Sequence, residues 1–283
     1  MRLIEPKAEL LLQQPGLEGV YKQIELAGRT CYKSEDKITK NSAKPFVDRM
    51  INSNHLAMLE HGTVYLKDES WIGSTLKKYA HNKYSRYKDV HLKSEKIEDG
   101  YTEHKRGYYV TTNLRVLVEN DWLDDLQYIC EPTEYHEKRY TLRFKGDIHL
   151  YKDTTRHRPM SYAIESTRYC NYLKEKFGMS VSFMRPTWLK EEFLEEFNND
   201  CQVLENIYFK WINKGLRAEE AAYFLCQGTA AEYCITGFTS DWKHLLDLRL
   251  FETTGKVHPD MLNIMKKAQE VMQEADIWKD IYK

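Results

Sequence analysis

Fourteen consecutive residues hold most of the side chains in this sequence that could do chemistry. The stretch Arg156–Tyr169 reads Arg-His-Arg-Pro-Met-Ser-Tyr-Ala-Ile-Glu-Ser-Thr-Arg-Tyr, with three arginines and a single acid, Glu165. Arginine stays charged at every working pH and presents a planar fork of hydrogen-bond donors. Three such forks beside hydroxyl groups suit a ligand with several negative charges, such as a phosphate ester.

The same stretch also fits an ordinary helix end. Gly146 and Asp147 are typical of a helix start, and Pro159 would stop that helix just after Arg158. Basic side chains in a last helical turn stabilise the unpaired carbonyl groups there. Residue types and spacing alone therefore leave a ligand site and a plain helix end both open.

The composition limits the classes of partner. The chain has 283 residues, of which 42% are hydrophobic and 30% charged, as is typical of soluble globular proteins. The formal net charge of −1 gives no overall attraction to nucleic acid or membrane, so neither is expected as a partner. No apolar run reaches the length of a membrane span, and the first residues do not resemble a signal peptide. Six cysteines without a Cys-x-x-Cys pair predict reduced thiols in a cytoplasmic protein.

The pattern of apolar residues predicts the elements that must position the stretch. Helices are predicted over 15–31, 44–54, 189–214, 218–235 and 242–249, and from Pro259 onward. Strands are predicted at 63–66, 140–145 and 181–184. Asp241 is the predicted N-cap of the helix over 242–249, and 67–139 is predicted to be mostly irregular. No Gly-x-Gly-x-x-Gly and no Walker loop is present, so we predict the α+β class, a mixed sheet packed with several helices and a helical C-terminal half.

One pair of histidines raises the question of a metal. His55 and His61 are six residues apart, with Glu60 beside the second. The spacing is not His-Glu-x-x-His, and no third ligand stands out. No metal site is predicted.

The central stretch resembles the signature of the flavin-dependent thymidylate synthases, also called thymidylate synthase complementing proteins. That signature is Arg-His-Arg, seven residues and then Ser, and here it is Arg156–Arg158 followed by 159–165 and Ser166. Two flanking blocks are similar to the family as well. One is His55 to His61 before a strand, and the other runs from Thr236 to Arg249 and on to Met261.

The resemblance implies a single catalytic domain over residues 1–283 that works as a homotetramer with shared active sites. It implies conversion of dUMP to dTMP with FAD as cofactor, and with 5,10-methylenetetrahydrofolate and NADPH as co-substrates. The implied dUMP contacts are Asp153, Arg156, Glu165, Ser166, Thr167, Arg168 and Arg249. The implied FAD contacts are His55, Glu60, Arg156, His157, Arg158, Ser240 and His244. Arg249 is also the implied catalytic residue, because a permanent positive charge aimed at the pyrimidine would stabilise negative charge on the ring.

The sequence departs from the family pattern at several positions. Ala222 stands where members usually have an arginine that contacts the nucleotide phosphate. Either Arg217 or Lys214 compensates, or dUMP binds less tightly, or the substrate differs. Ala163 replaces an asparagine, His244 stands where an amide is commoner, and 67–139 is an insertion of unknown role.

Three rival functions follow from these departures and from the charge pattern. The same flavin scaffold could act on another pyrimidine nucleotide, or the chain could be a non-catalytic homologue that binds flavin or nucleotide. A nucleic-acid binder using 77–88 and 156–168 would also be rich in basic and aromatic residues. Cys170 is the candidate for a rival mechanism with a thiol nucleophile, although its bulky uncharged neighbours favour an inert buried thiol.

Overall fold

The computed structural model describes residues 1–96 and 102–282. Within them the helices are α1 Gly16–Tyr32, α2 Ala43–Asn52, α3 Leu114–Glu119, α4 Ile148–Thr154, α5 Leu194–Asn213, α6 Ala218–Ala221, α7 Thr239–Arg249, α8 Pro259–Glu274 and α9 Trp278–Ile281. The strands are β1 Arg2–Ile4, β2 Lys7–Leu11, β3 Thr63–Ser70, β4 Arg86–Lys96, β5 Thr102–Asn113, β6 Arg139–Asp147, β7 Ser161–Ile164, β8 Ser182–Met184 and β9 Ala230–Phe238. Sheets packed with helices and a helical C-terminal region confirm the predicted α+β class. Across the described ranges, no helix combines the length and apolar character that crossing a membrane requires.

The contacts divide the chain into two compact units. The first unit comprises Met1–Leu11, Ala27–Asp36 and Thr141–Lys283. The second unit comprises Leu12–Leu26 and Lys37–Tyr140.

A four-stranded sheet in the order β2-β6-β9-β7 forms the centre of the first unit. β2 runs antiparallel to β6, with Ala8 opposite Phe144, and β7 runs antiparallel to β9, with Ser161 opposite Thr236. The rings of Phe144 and Tyr233 stack at 5.4 Å on one face of this sheet, where both are fully buried. The segments that follow β6, β7 and β9 hold the candidate site.

The second unit contains a three-stranded antiparallel sheet in the order β3-β5-β4. The prediction that 67–139 is irregular is wrong, since this stretch supplies β4, β5 and α3, although residues 97–101 of it lie outside the described ranges. Most side chains of β4 are exposed and about half are charged, so the strand shows little of the apolar alternation that reveals a half-buried strand. Cross-strand ion pairs such as Arg106 Nε to Asp89 Oδ1, at 2.6 Å, replace apolar contacts along it.

The predicted buried helix over 218–235 is also wrong. Helix α6 ends at Ala221, and the apolar run from Ala230 onward forms β9. β9 lies between β6 and β7, and nearly all of its residues are buried. A strand covered on both faces reads as a continuous apolar run, which periodicity cannot separate from a buried helix.

Asp241 is not the N-cap of α7, which corrects the prediction made for it. The helix begins at Thr239, so Asp241 is its third residue, and Asp241 Oδ2 accepts a hydrogen bond of 3.1 Å from the backbone N–H of Phe238. A carboxylate at this position still satisfies a donor at the helix start and interacts favourably with the helix dipole. The other predicted helices and strands are confirmed, with shifted ends.

Candidate active site

Helix α4 positions the first part of the signature stretch. Its N-cap is Asp147, whose Oδ1 accepts a hydrogen bond of 2.8 Å from the N–H of Leu150. The helix ends at Thr154 rather than after Arg158, so the prediction that it runs to Pro159 is wrong. Arg156–Arg158 instead form a turn, in which the N–H of His157 donates to the carbonyl of Thr154 at 3.0 Å. The three basic residues therefore belong to a turn after the helix, in which Arg156 and Arg158 are exposed and His157 is buried.

Tyr162 on β7 fixes this turn. Its hydroxyl oxygen lies 2.6 Å from the carbonyl oxygen of Thr154 and 2.9 Å from that of His157, so one donor is shared by two acceptors. A second constraint comes from Gly237, where an added Cβ would lie 2.6 Å from Cε of Met160. The end of β9 can approach the turn this closely because residue 237 has no side chain.

Three polar side chains lie near Arg249, at the end of α7. Arg249 Nη1 lies 3.9 Å from Asp153 Oδ2, and the rings of His157 and His244 are 5.7 Å apart. Burial, followed by the nearby charges of Arg249 and His244, lowers the pKa of His157 to about 4. His157 is therefore neutral at pH 7, and Arg249 keeps its charge.

Arg249 has a donor that the protein does not use. Its Nε is buried and makes no hydrogen bond to any described residue. A buried donor left unpaired costs about 1–3 kcal/mol, which a ligand with an acceptor at this position would recover. The exposed side chains of Arg156 and Arg158 likewise form no ion pair within the described ranges.

Glu165 has a structural task that the sequence did not indicate. Its side chain is buried, Oε1 accepts from the hydroxyl of Tyr172 at 3.0 Å, and Oε2 accepts from the N–H of Glu232 at 3.0 Å. The N–H of Glu165 also donates to the carbonyl of Glu232 at 2.7 Å. Burial raises the pKa of Glu165, while the charge of Lys33 opposes that rise. The side chain thus extends the β7–β9 ladder and anchors the loop that follows.

The rest of that loop faces outward. The N–H of Ser166 donates to the carbonyl of Cys31 at 2.9 Å, Thr167 is half-buried, and Arg168 is exposed with its Nε 3.5 Å from Glu219 Oε2. Cys170, which follows the loop, is buried, and burial raises the pKa of its thiol to about 12. A protonated, buried thiol is a poor nucleophile.

The structure places the remaining predicted residues as follows. Ser240 is exposed on the first turn of α7, in the first unit. His55 and Glu60 belong to the second unit, where His55 is exposed and Glu60 Oε1 is 2.5 Å from Arg115 Nη1. Within the described part of the chain, no group of three or more His, Cys, Asp or Glu side chains could hold a metal ion.

Sequence reasoning missed Tyr162, Tyr172 and Gly237 as determinants of the site. Tyr162 lies inside the signature stretch, but its partners are backbone carbonyl groups, whose positions no residue type reveals. Tyr172 lies seven residues after Glu165, a spacing that does not predict contact between side chains. An isolated glycine within an apolar strand does indicate a close backbone approach, and this signal could have identified Gly237.

Comparison with known proteins adds three findings. Residues 130–275 match the family model described as thymidylate synthase complementing protein. No curated protein matches the chain. Two solved structures of the UMP/dUMP methylase PolB from Streptomyces cacaoi are similar. The one bound with 5-Br dUMP has 14% sequence identity and a TM-score of 0.45, and the similarity covers 98% of this chain and 93% of that chain. The one bound with 5-Br UMP has 12% identity and a TM-score of 0.44, with 97% and 92% covered.

The family match covers just over half of the sequence and includes both parts of the site in the first unit. It contains the signature stretch Arg156–Tyr169 and the segment that ends at Arg249. On this match, the chain belongs to the thymidylate synthase complementing protein family, and its function is of the thymidylate synthase type.

Proposed function

We propose that this protein is a flavin-dependent thymidylate synthase that methylates dUMP to dTMP, with 5,10-methylenetetrahydrofolate as carbon donor and NADPH as reductant. The observation that carries the proposal is the unused, buried Nε of Arg249 beside a neutral His157. We propose a cytoplasmic homotetramer with shared active sites as the working form. The single catalytic domain over 1–283, with 67–139 as an insertion, stays a prediction.

Arg249 would activate the pyrimidine. C5 of uracil is a weak nucleophile, and negative charge on the ring makes it a stronger one. A fixed guanidinium with a desolvated donor stabilises such charge as it develops, and it does so more strongly than an arginine in water. Because His157 is neutral, it adds no second charge and leaves Arg249 as the local cation.

The residues of the turn and of α7 fit a flavin cofactor. Arg156 and Arg158 offer guanidinium groups that form no ion pair within the described ranges, as an anionic dinucleotide requires. We propose His157, His244 and Ser240 as further FAD contacts, the rings of the two histidines lying 5.7 Å apart. We also propose His55 and Glu60 as FAD contacts. FAD, when bound, supplies the hydride chemistry, while the protein binds and orients it.

The proposed dUMP contacts lie on four segments of the first unit. Asp153 on α4, Arg156 in the turn and Arg249 on α7 would face the nucleotide base and sugar. The loop Glu165–Arg168 would hold the phosphate, with Glu165 acting through the anchoring hydrogen bonds described above.

Ala222 favours one alternative function. Because position 222 has no arginine, an alternative hypothesis is that the same scaffold acts on another pyrimidine nucleotide. Mass spectrometry of the products formed from dUMP and from dCMP, with folate donor and NADPH present, separates the two. We expect dTMP from dUMP, and a product from dCMP alone would overturn the proposal.

The visible absorbance of the purified protein tests the cofactor. We expect a flavin band, and NADPH oxidation that depends on dUMP. A flavin band without such oxidation would indicate a non-catalytic homologue. A colourless protein whose binding to nucleic acid weakens steeply with salt would indicate a nucleic-acid binder.

A further inference from the structure

Two arginines from different segments converge on one carboxylate near the signature loop. Arg168 Nε lies 3.5 Å from Glu219 Oε2, and Arg217 Nη1 lies 2.8 Å from Glu219 Oε1. The side chains of Arg168 and Arg217 are 68% and 73% exposed, so both guanidinium groups are open to solvent. Arg217 also contacts Glu220 Oε1 at 3.4 Å, while Glu220 Oε2 accepts from the backbone N–H of Arg217 at 2.8 Å.

The carboxylate that joins the two arginines lies close to Ala222. Glu219 and Ala222 are three residues apart in the helical turns at 218–224, so their side chains are neighbours on one side. Residue 222 supplies no charge to this surface, and Arg217 brings a guanidinium to the same region from the residue before α6. Of the two residues considered as replacements for a cation at 222, Lys214 has its Nζ over the ring of Trp211, at 4.8 Å from the centroid, whereas Arg217 reaches Glu219.

We propose that Arg168 and Arg217 form a clamp for the 5′-phosphate of the nucleotide substrate, with Glu219 holding the two guanidinium groups until the phosphate displaces it. This inference rests on the proposed function and adds a residue that determines specificity, Arg217. The expected ligand of the clamp is a nucleoside monophosphate, because the guanidinium groups of Arg168 and Arg217 together suit one phosphate group.

Arginine–carboxylate and arginine–phosphate pairs use the same fork geometry, so the exchange needs no rebuilding of the surface. Exposed ion pairs contribute little to stability, and Glu219 can turn into solvent at small cost. A phosphate with three oxygens and up to two charges can accept from both arginines at once. Arg168 is held for this by its loop, since Ser166 is bonded to Cys31 and Glu165 to Glu232.

Equilibrium binding of dUMP and of deoxyuridine, which lacks the phosphate, tests the clamp. Wild type would be compared with Arg217→Ala, Arg217→Lys and Glu219→Gln, with calorimetry for dUMP and ligand-observed NMR for the weaker nucleoside. The matched control is Arg185→Ala, which removes another arginine that is paired with a glutamate, Glu191, outside the proposed site.

We expect Arg217→Ala to weaken dUMP binding by about 10- to 100-fold, the loss typical of a charged hydrogen bond, and to leave deoxyuridine binding unchanged. The dUMP affinity of Arg217→Lys should lie between those of wild type and Arg217→Ala, because lysine keeps the positive charge but lacks the planar guanidinium fork. Glu219→Gln should bind dUMP a few-fold more tightly, because it removes the competing anion. The backbone N–H of residue 217 remains bonded to Glu220 in both Arg217 variants, so the start of α6 is preserved.

The outcomes separate this inference from the function on which it rests. Equal dUMP affinity for wild type and Arg217→Ala, or an equal loss of deoxyuridine binding, would overturn the clamp while leaving thymidylate synthesis in place. A selective loss of dUMP binding in Arg217→Ala would support the clamp even if wild type made no dTMP, a result that would sink only the proposed reaction. Absence of dUMP binding by wild type would remove both.

Discussion

Arg115 and Arg249 both belong to short helices, yet their surroundings are opposite. In the second unit, Arg115 Nη1 contacts Glu60 Oε1 at 2.5 Å, and its Nε and Nη2 both lie 2.8 Å from Glu119 Oε1. In the first unit, the nearest acid to Arg249 is Asp153 at 3.9 Å, and Nε of Arg249 has no hydrogen bond to a described residue. The first arginine is neutralised by two acids, whereas the second keeps most of its donors uncommitted.

This difference supports the proposal that Arg249 binds a ligand, whereas Arg115 stabilises the fold. A neutralised guanidinium has no charge left for a substrate, while an unpaired buried donor carries an energetic cost until a ligand arrives. Both residues look alike in the sequence, where each is an arginine next to leucine or valine. Four experiments test this contrast.

The largest effect is expected on turnover. Arg249→Ala should lower kcat for dTMP formation by about 10²- to 10³-fold, as removal of a donor aimed at developing charge does, and should retain the flavin. Arg115→Ala, the matched variant, should change kcat less than about threefold at saturating FAD, because the charge of Arg115 is already neutralised and only its partner Glu60 is a proposed FAD contact. Steady-state kinetics with the visible spectrum of each variant measures both, and unchanged turnover in Arg249→Ala would falsify its assigned role.

The second experiment uses pH to detect the burial of His157 beside the charge of Arg249. The pKa of His157 falls from 6.5 to about 4 on folding, so the unfolded chain binds more protons between these values. Folding stability should therefore drop as pH falls from about 6.5 to 4, by about 3 kcal/mol in total. Urea unfolding of wild type and His157→Gln across this range should show that loss only in wild type. Parallel pH profiles for the two proteins would contradict the assignment.

The third experiment loosens the turn that carries the basic residues. Tyr162→Phe removes the donor shared by the carbonyl groups of Thr154 and His157, and should reduce the free energy of unfolding by about 1–2 kcal/mol. Tyr223→Phe is the control, because Tyr223 is 88% exposed and should tolerate the change. Chemical denaturation measures both, and equal stability of Tyr162→Phe and wild type would show that the turn holds without this bond.

The smallest effect is expected from the second unit. Glu60→Gln removes one of the two acids on Arg115, and both side chains are partly exposed. The free energy of unfolding should fall by less than about 1 kcal/mol, since Glu119 keeps its contact and exposed pairs contribute little. Thermal unfolding provides the measurement. A decrease of several kcal/mol in the free energy of unfolding would mean that the Glu60–Arg115 pair stabilises the fold as much as a buried ion pair does.

The sequence predicted the helices whose apolar residues recur at helical spacing, while the role of Arg156–Tyr169 in the site stays a prediction. It failed where periodicity carries no information. β9 is buried on both faces and reads like a helix, and β4 is so exposed and charged that it reads like a loop. The prediction failed for these two strands for opposite reasons. Alternation of polar and apolar residues reveals a strand only when one face is exposed to solvent and the other is buried.

The site was only partly predictable for a related reason. The family resemblance identified Arg249 and His157 as candidates, but no spacing could show that Nε of Arg249 would remain unpaired or that Glu165 would form hydrogen bonds inside the protein. Those facts depend on contacts between segments far apart in the sequence, such as Glu165 with Glu232. The distinction between a committed and an available charge therefore appears only in the folded chain.

The hydrogen bond from the N–H of Glu232 to Oε2 of Glu165 has a consequence for spectroscopy. An amide proton bonded to a carboxylate is expected to resonate downfield of its neighbours, and its chemical shift follows the protonation of that carboxylate. In an isotope-labelled sample, this single proton would report continuously on whether the loop Glu165–Arg168 is anchored. A buried contact with no direct role in the chemistry thus provides a built-in probe of loop order during titration with ligand.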